Sequence, residues 1–543
     1  MCRILGLAVL AHAVLLSLAR ADDQVAATAA VEAPRAGSSS AELLAPPVLD
    51  ALIAAELGVS LEQPGFVTDA EFLRRLTLDL IGRQPTPAEL DEFLNEPSDV
   101  RRGLVIDRLL ASPEFGGNWA NYWSDTIAYR VPPPELTFLN YAPLEDWLAG
   151  QLNGNTPWDQ IVRDLLTGTG KVADQPQATF VAYHQGNPTK LAAETARVFL
   201  SVQIQCAECH DHPFDDWKRE QFHQLAAFFA RSAVKMPWNE GAETVVSDKG
   251  KGEYFMPDAV DPTKKGKEMQ PVFFTGAVVE KGGLPDLDRR RQLAEFITRP
   301  DNPWLAKSYV NRIWARLMGR GFYEPVDDMG LVQAPVLTNV HDQLTAHFVA
   351  TGCDVKDLFR LVASTDAYRR GLPGNGSQSG KPLAAARVMK LRGDEVFDSL
   401  ATAIELPDIQ PPKAEPTPEI RFPIPPKSTR ELVAETFGYD PSLRPQDVMR
   451  NMNQAMLLMN NEQLQAQVNA DPSSGTVLAR LLASEPDDGQ AFRKLFEIML
   501  ARKPTDREVG LALEHVTSVA DRGEAFEDLL WALINSTEFT TKR

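Results

Sequence analysis

The segment Cys206-Ala207-Glu208-Cys209-His210 has the residue types and spacing that point most directly to chemistry in this chain. Two thiols three positions apart, followed at once by an imidazole, form the attachment pattern of a c-type haem. Thioether bonds from the two sulfurs to the two vinyl groups would hold the ring edge against one turn of chain. The adjacent imidazole would then be the proximal iron ligand. The residues that follow keep a second chemistry open. Cys206, Cys209, His210, Asp211, His212 and Asp215 are all suitable ligands for zinc or another divalent metal. A third reading is a structural turn with no ligand, and a fourth is a small redox disulfide. The last lacks the βαβ surroundings that a thioredoxin-like site needs. Pro213 predicts that no uninterrupted helix runs through the motif. A sixth haem ligand would come from Met236, Met256, His184, His212 or His223, or the position would be open. His223 lies beside the apolar stripe Phe222, Leu225, Ala226 and Phe229, where a packed histidine at the surface is the expectation.

The elements that must position this segment read as helices. Thr68 and Glu71 have capping-box spacing, and Phe72, Leu73, Leu76 and Leu80 follow at helical intervals up to a stop at Gly82. Thr86 and Glu89 repeat the box, with Pro87 at the first helical position. Residues 232–287 differ, with short apolar runs between Gly, Lys and Pro, and predict a hairpin or small sheet in a connecting segment. Helical periodicity then resumes, interrupted by a Pro-rich insertion at 405–428. The expected fold is therefore mainly α: two helical domains, 46–231 and 288–543, joined by the segment with short strands. A faint repeat aligns Arg83, Pro85, Thr86 and Glu89 with Arg502, Pro504, Thr505 and Glu508. Each set is followed by a helix with a similar tail, Ser112 to Phe115 and Ser536 to Phe539. Duplication and convergence of helix caps both account for it.

Composition narrows the function classes. The chain has 543 residues, of which 44% are hydrophobic and 24% charged, enough to bury a sizeable core. Its 74 acidic and 55 basic side chains leave a formal charge of -19, which repels phosphate backbones and argues against nucleic acid as a partner. Arg3, the apolar run Ile4 to Leu18 and the small residues of Ala19-Arg20-Ala21 read as a signal peptide (1–21), cleaved before Asp22. Residues 22–45 read as a flexible leader. The expected protein is exported to a periplasm or cell surface, with no membrane span after signal cleavage. Cys2 leaves with the signal, so three thiols remain, too few for a disulfide scaffold. No GxSxG, P-loop, HExxH or GxGxxG string occurs. In Asn311-Arg312-Ile313-Trp314 the expectation is a core Trp and an Arg312 paired with Asp327 or Asp328. His341 and His347 receive no role.

A resemblance adds to this reading. Phe72 to Gly82 with Pro85, Thr86 and Glu89 resembles the opening of the planctomycete cytochrome-c-like second domain, a domain of unknown function. Asp107 to Pro113, Trp119 to Trp123, and Cys206 to Asp215 with Leu225 to Phe229 fit it too. Leu293 to Phe296, Val310 to Trp314, Gly319-Arg320-Gly321, Asp327-Asp328-Met329-Gly330 and Leu361 to Ser364 resemble its companion, the planctomycete-specific D1 domain, also of unknown function. The resemblance implies haem c on Cys206, Cys209 and His210 and a role in electron transfer or redox support in the cell envelope. It implies a redox partner or a secreted sulfatase-like protein nearby. A glycan-processing protein and a non-catalytic helical scaffold of an exported complex are the other roles open to such a chain.

Overall fold

A computed structural model describes residues 43–58, 65–128, 136, 139–236, 243–279, 283–371, 387–412 and 426–542. The signal peptide, nearly all of the leader and most of the Pro-rich insertion lie outside the described residues. Within them the chain forms twenty-two α-helices and three small sheets, a mainly α fold as the periodicity predicts. The local signals hold in detail. Thr68 and Glu71 close a capping box on the helix Asp69–Ile81, which stops at Gly82 in the left-handed region at φ 75°. Thr86 and Glu89 do the same for Pro87–Asn95. Reciprocal capping satisfies amide groups that the first turn would otherwise leave open.

The connecting segment is built of strands. Ser232–Lys235 pairs antiparallel with Val245–Asp248. The other edge of Val245–Asp248 pairs with Gly170–Lys171, from well before the segment. Phe255–Pro257 and Lys265–Glu268 form a second antiparallel pair. The expected strand around Val272-Phe273-Phe274 is reduced to one bridge, Val272 to Val278. Its Phe273 is instead buried, and both phenyl rings pack near Trp304.

Apolar packing joins the helices across this segment. One continuous core runs from Leu49 to Tyr368. At its centre the helix Pro113–Ile127 meets Leu305–Met318, where Trp123 stacks on Tyr309 at 5.7 Å and Trp158 lies 4.1 and 4.7 Å from the two rings. Each such aromatic pair contributes about 0.5–1.5 kcal/mol beyond the area it buries. A second core gathers Leu391 to Phe539 with Leu78. The two cores are tied by polar groups of Asp69–Ile81. Arg74 donates to the carbonyls of Glu538, Phe539 and Thr541, and Asp79 takes both the Tyr368 hydroxyl and the Lys542 ammonium.

The faint repeat is structural. Arg83 forks to Glu89 at 2.9 Å and to Glu114 at 2.6 Å, while Arg502 forks to Glu508 at 2.9 Å and to Glu538 at 2.7 Å. Cap chemistry alone accounts for the first glutamate of each set but not for the second, some thirty residues on. The Gln84 side chain donates to Ile498 O at 2.8 Å, so the two copies also touch.

Candidate functional site

The Cys-His segment follows the helix Pro188–Leu200, which ends at Ser201 in a left-handed conformation (φ 52°). The chain then makes a single 3-10 turn, Gln205–Glu208, and bends without further helix to Trp217, as Pro213 predicts. In a 3-10 turn residues three apart eclipse one another. Ile204 and Ala207 are three apart and buried, and they anchor one side of the turn in the core. Cys206 and Cys209 are also three apart, and both face solvent as free thiols.

His210 is exposed, and its Nδ1 lies 2.7 Å from the Asp211 carbonyl. A carbonyl only accepts, so Nδ1 donates there, and the neutral ring then carries its lone pair on Nε2. Among ligating histidines this is the usual arrangement: one ring nitrogen donates to a carbonyl and the other faces the metal. Both sulfurs and the imidazole Nε2 are therefore accessible to a group approaching from outside.

The loop beyond the motif is held by its carboxylates. Asp211 accepts from Arg219 N at 3.0 Å, and Lys218 lies 3.3 Å away. The first of these contacts lowers the Asp211 carboxyl below its ordinary value, with help from the lysine. His212 N donates to Trp217 O at 2.8 Å, and His212 Nδ1 accepts from Phe214 N at 3.3 Å. Trp217 is buried against Phe274, which pins the far end of the loop. Among the described residues no three His, Cys, Asp or Glu side chains gather as ligands.

Long-range contacts supply what local spacing does not show. Asp215 accepts from Leu331 N at 2.9 Å, and Met329 N donates to Ser201 O at 2.6 Å. Gln203 donates to Asp327 at 2.9 Å. The run Asp327-Asp328-Met329-Gly330 is therefore docked on the Cys-His loop. Burial, with Asp327 and Asp215 beside it, raises the Asp328 carboxyl above its ordinary value. The expected pairing of Arg312 with Asp327 or Asp328 does not form, because Asp327 is taken by Gln203 and lies 3.6 Å from Arg197. Trp314 is core, as expected. Phe214 is 86% exposed, and Leu331, whose amide meets Asp215, and Val332 are exposed as well.

Gly330 is where this docking is most sensitive. Its φ is +31°, and a Cβ there would meet Asp215 Oδ2 at 2.5 Å. Gly330→Ala is expected to push Asp215 off the Leu331 amide and to destabilise the protein by about 1–2 kcal/mol. Amide exchange at Leu331 checks this, and unchanged protection there would refute the docking role of Asp215.

The candidate sixth ligands differ in availability. His223 is not at the surface but fully buried, with both ring nitrogens engaged: Nε2 donates to Glu208 O at 2.9 Å and Nδ1 accepts from Tyr254 Oη at 2.8 Å. It supports the motif's turn from behind, a role that the apolar stripe around it did not signal. Burial pushes it down to about 4. His184 is buried with Nε2 unpartnered and is pushed down to about 3 by burial, with Arg197 and Lys190 adding to the effect. Met236 and Met256 are half-buried, and His212 keeps Nε2 outside the hydrogen bond made by its Nδ1. His341 and His347 are structural: the first donates to Lys307 O at 3.1 Å, the second meets Asp357 at 2.6 Å.

Residues 48–234 match the family PSCyt2, described as a protein of unknown function (DUF1549). Residues 289–516 match PSD1, also described as a protein of unknown function (DUF1553). The Cys-His segment lies within the first match and the Asp327–Gly330 run within the second. No curated protein and no solved structure matches the chain.

Proposed function

Since this chain joins a PSCyt2 domain to a PSD1 domain, we propose that it is an exported protein that binds one c-type haem through Cys206, Cys209 and His210 and serves electron transfer or redox support in the cell envelope. The observation that supports this best is the outward side of the 3-10 turn. Two unpaired sulfurs lie there with an imidazole whose Nδ1 is tied to Asp211 O, leaving Nε2 free.

The chain's own residues account for the holding of such a group. Ile204 and Ala207 fix the turn, and His223 braces the Glu208 carbonyl from the core side. Phe214, Leu331 and Val332 are exposed apolar side chains that a bound haem would be able to cover. Bound there, the haem would supply reversible one-electron chemistry at iron. The surface position of the motif favours exchange with a redox partner, since electron transfer weakens with distance through protein. Among the described residues no helix is long and apolar enough to cross a membrane.

Haem staining of the denatured full chain, produced in a host with haem-maturation machinery, tests this reading. A stained band that disappears in the Cys206→Ser/Cys209→Ser double variant is expected, because thioether-linked haem survives denaturation. A colourless protein, from a host that matures another c-type cytochrome in the same culture, would overturn it.

A further inference from the structure

A cluster of cations lies outside the Cys-His segment. A small open cleft lies beside the C-terminal part of the helix Leu305–Met318. Its walls contain five cations, Arg312, Arg316, Arg320, Lys390 and Arg444, and one carboxylate, Glu324. In a chain with a formal charge of -19, this concentration of one sign runs against the composition.

Three of the cations have carboxylates of their own. Arg316 meets Glu395 at 3.0 Å, Arg320 meets Glu324 at 3.1 Å and Arg444 meets Asp447 at 2.6 Å. Arg312 and Lys390 have none within 4.0 Å among the described residues, and Lys390 donates only to Val448 O. Burial, with Arg450 nearby, lowers the Lys390 ammonium below its ordinary value. Arg312 is the decisive group. It is 0% exposed, and only its Nη2 is used, donating to Arg197 O at 2.8 Å. Its Nε and Nη1 are buried without a partner. The hydroxyls of Tyr122 and Ser442, on the same walls, are also buried without a partner.

A buried guanidinium with open donors is strongly unfavourable unless an anion completes it. Unpartnered N–H and O–H donors on the walls of one cleft suit a tetrahedral oxyanion, which offers several acceptor oxygens on one centre. We propose that this cavity binds a phosphate or sulfate group, with Arg312 as the main anchor and Tyr122 and Ser442 as hydroxyl donors. The surplus charge on Lys390 draws the anion in, and the paired arginines set the walls.

Calorimetric titration of the intact chain with inorganic phosphate, inorganic sulfate and acetate, at one ionic strength set with sodium chloride, tests this. One saturable site for phosphate or sulfate is expected, and the tighter of the two identifies the ester class of the natural ligand. Arg312→Met is expected to weaken that binding by about 10- to 100-fold, as for a charge-assisted hydrogen bond. Tyr122→Phe keeps the buried ring and is expected to weaken it by about tenfold, so the test survives if Arg312→Met does not fold. Absence of binding, a preference for acetate, or unchanged affinity in Tyr122→Phe would each overturn the assignment.

Discussion

Asp286→Ala is expected to lower the unfolding free energy by about 3–5 kcal/mol, because it leaves a buried guanidinium without its counter-charge. Asp286 is 1% exposed and Arg290 0%. They meet at 2.8 Å one turn apart on the helix Asp286–Thr298. The pair also connects three elements. Arg290 donates to Leu166 O at 2.7 Å and to Gly168 O at 2.8 Å, at the end of the helix Trp158–Thr167, while Asp286 accepts from the Ser232 hydroxyl at 2.6 Å. Loss of the carboxylate leaves Arg290 Nε and the Ser232 hydroxyl without their acceptor beside one buried positive charge. The denaturant midpoint of the variant checks the size of the effect. Replacing both members, Asp286→Leu with Arg290→Met, is expected to recover much of the loss, because two apolar side chains need no solvation. A single variant within about 1 kcal/mol of the parent would show that the pair is solvated in solution.

Acidification has the second large effect. His184, His223 and His341 are buried, and burial pushes them down to about 3, 4 and 4 from an ordinary value of 6.5. The folded protein holds them neutral, whereas the unfolded chain takes up protons once the pH falls below about 6.5. Their contribution is thus fully present above that value and is lost as pH falls towards 4. By pH 5 each accounts for about 2 kcal/mol, an upper figure where water reaches the ring. Three together approach the whole stability of an ordinary domain, which is about 5–15 kcal/mol. Most carboxylates titrate lower, so a steep fall in the thermal midpoint between pH 6.5 and 5 belongs to these histidines. His341→Gln, with Nδ1 buried and unpartnered in the parent, should flatten part of that slope. A midpoint independent of pH across this window would rule the account out. His223 also braces the Glu208 carbonyl through Nε2, a bond that protonation at Nδ1 leaves in place.

Much of this architecture is legible residue by residue. Caps at Thr68, Thr86 and Thr505 and the stop at Gly82 depend on neighbours within four positions, and all of them form. The thiol spacing is likewise local: any tight turn brings positions three apart to one side. What could not be read there concerns partners far along the chain. Asp215 and Leu331 are 116 positions apart, and nothing in either segment names the other. Arg312 was expected on a nearby carboxylate. It is instead buried on the Arg197 carbonyl, 115 positions away, with two nitrogens open.

From its residues alone this protein's helical class, its capped elements, its small sheets and the Cys-x-x-Cys-His spacing were determined, since each follows from short-range sterics, hydrogen bonding and apolar periodicity. Tertiary structure decided the rest. It turned the sulfurs outward by burying Ile204 and Ala207, placed His223 behind the motif, set Asp327 to Gly330 against it, and gathered five cations around one cavity. The reason is that burial is a property of the assembled core: only when distant helices share one apolar interior is it settled which charges lose water and which groups they meet.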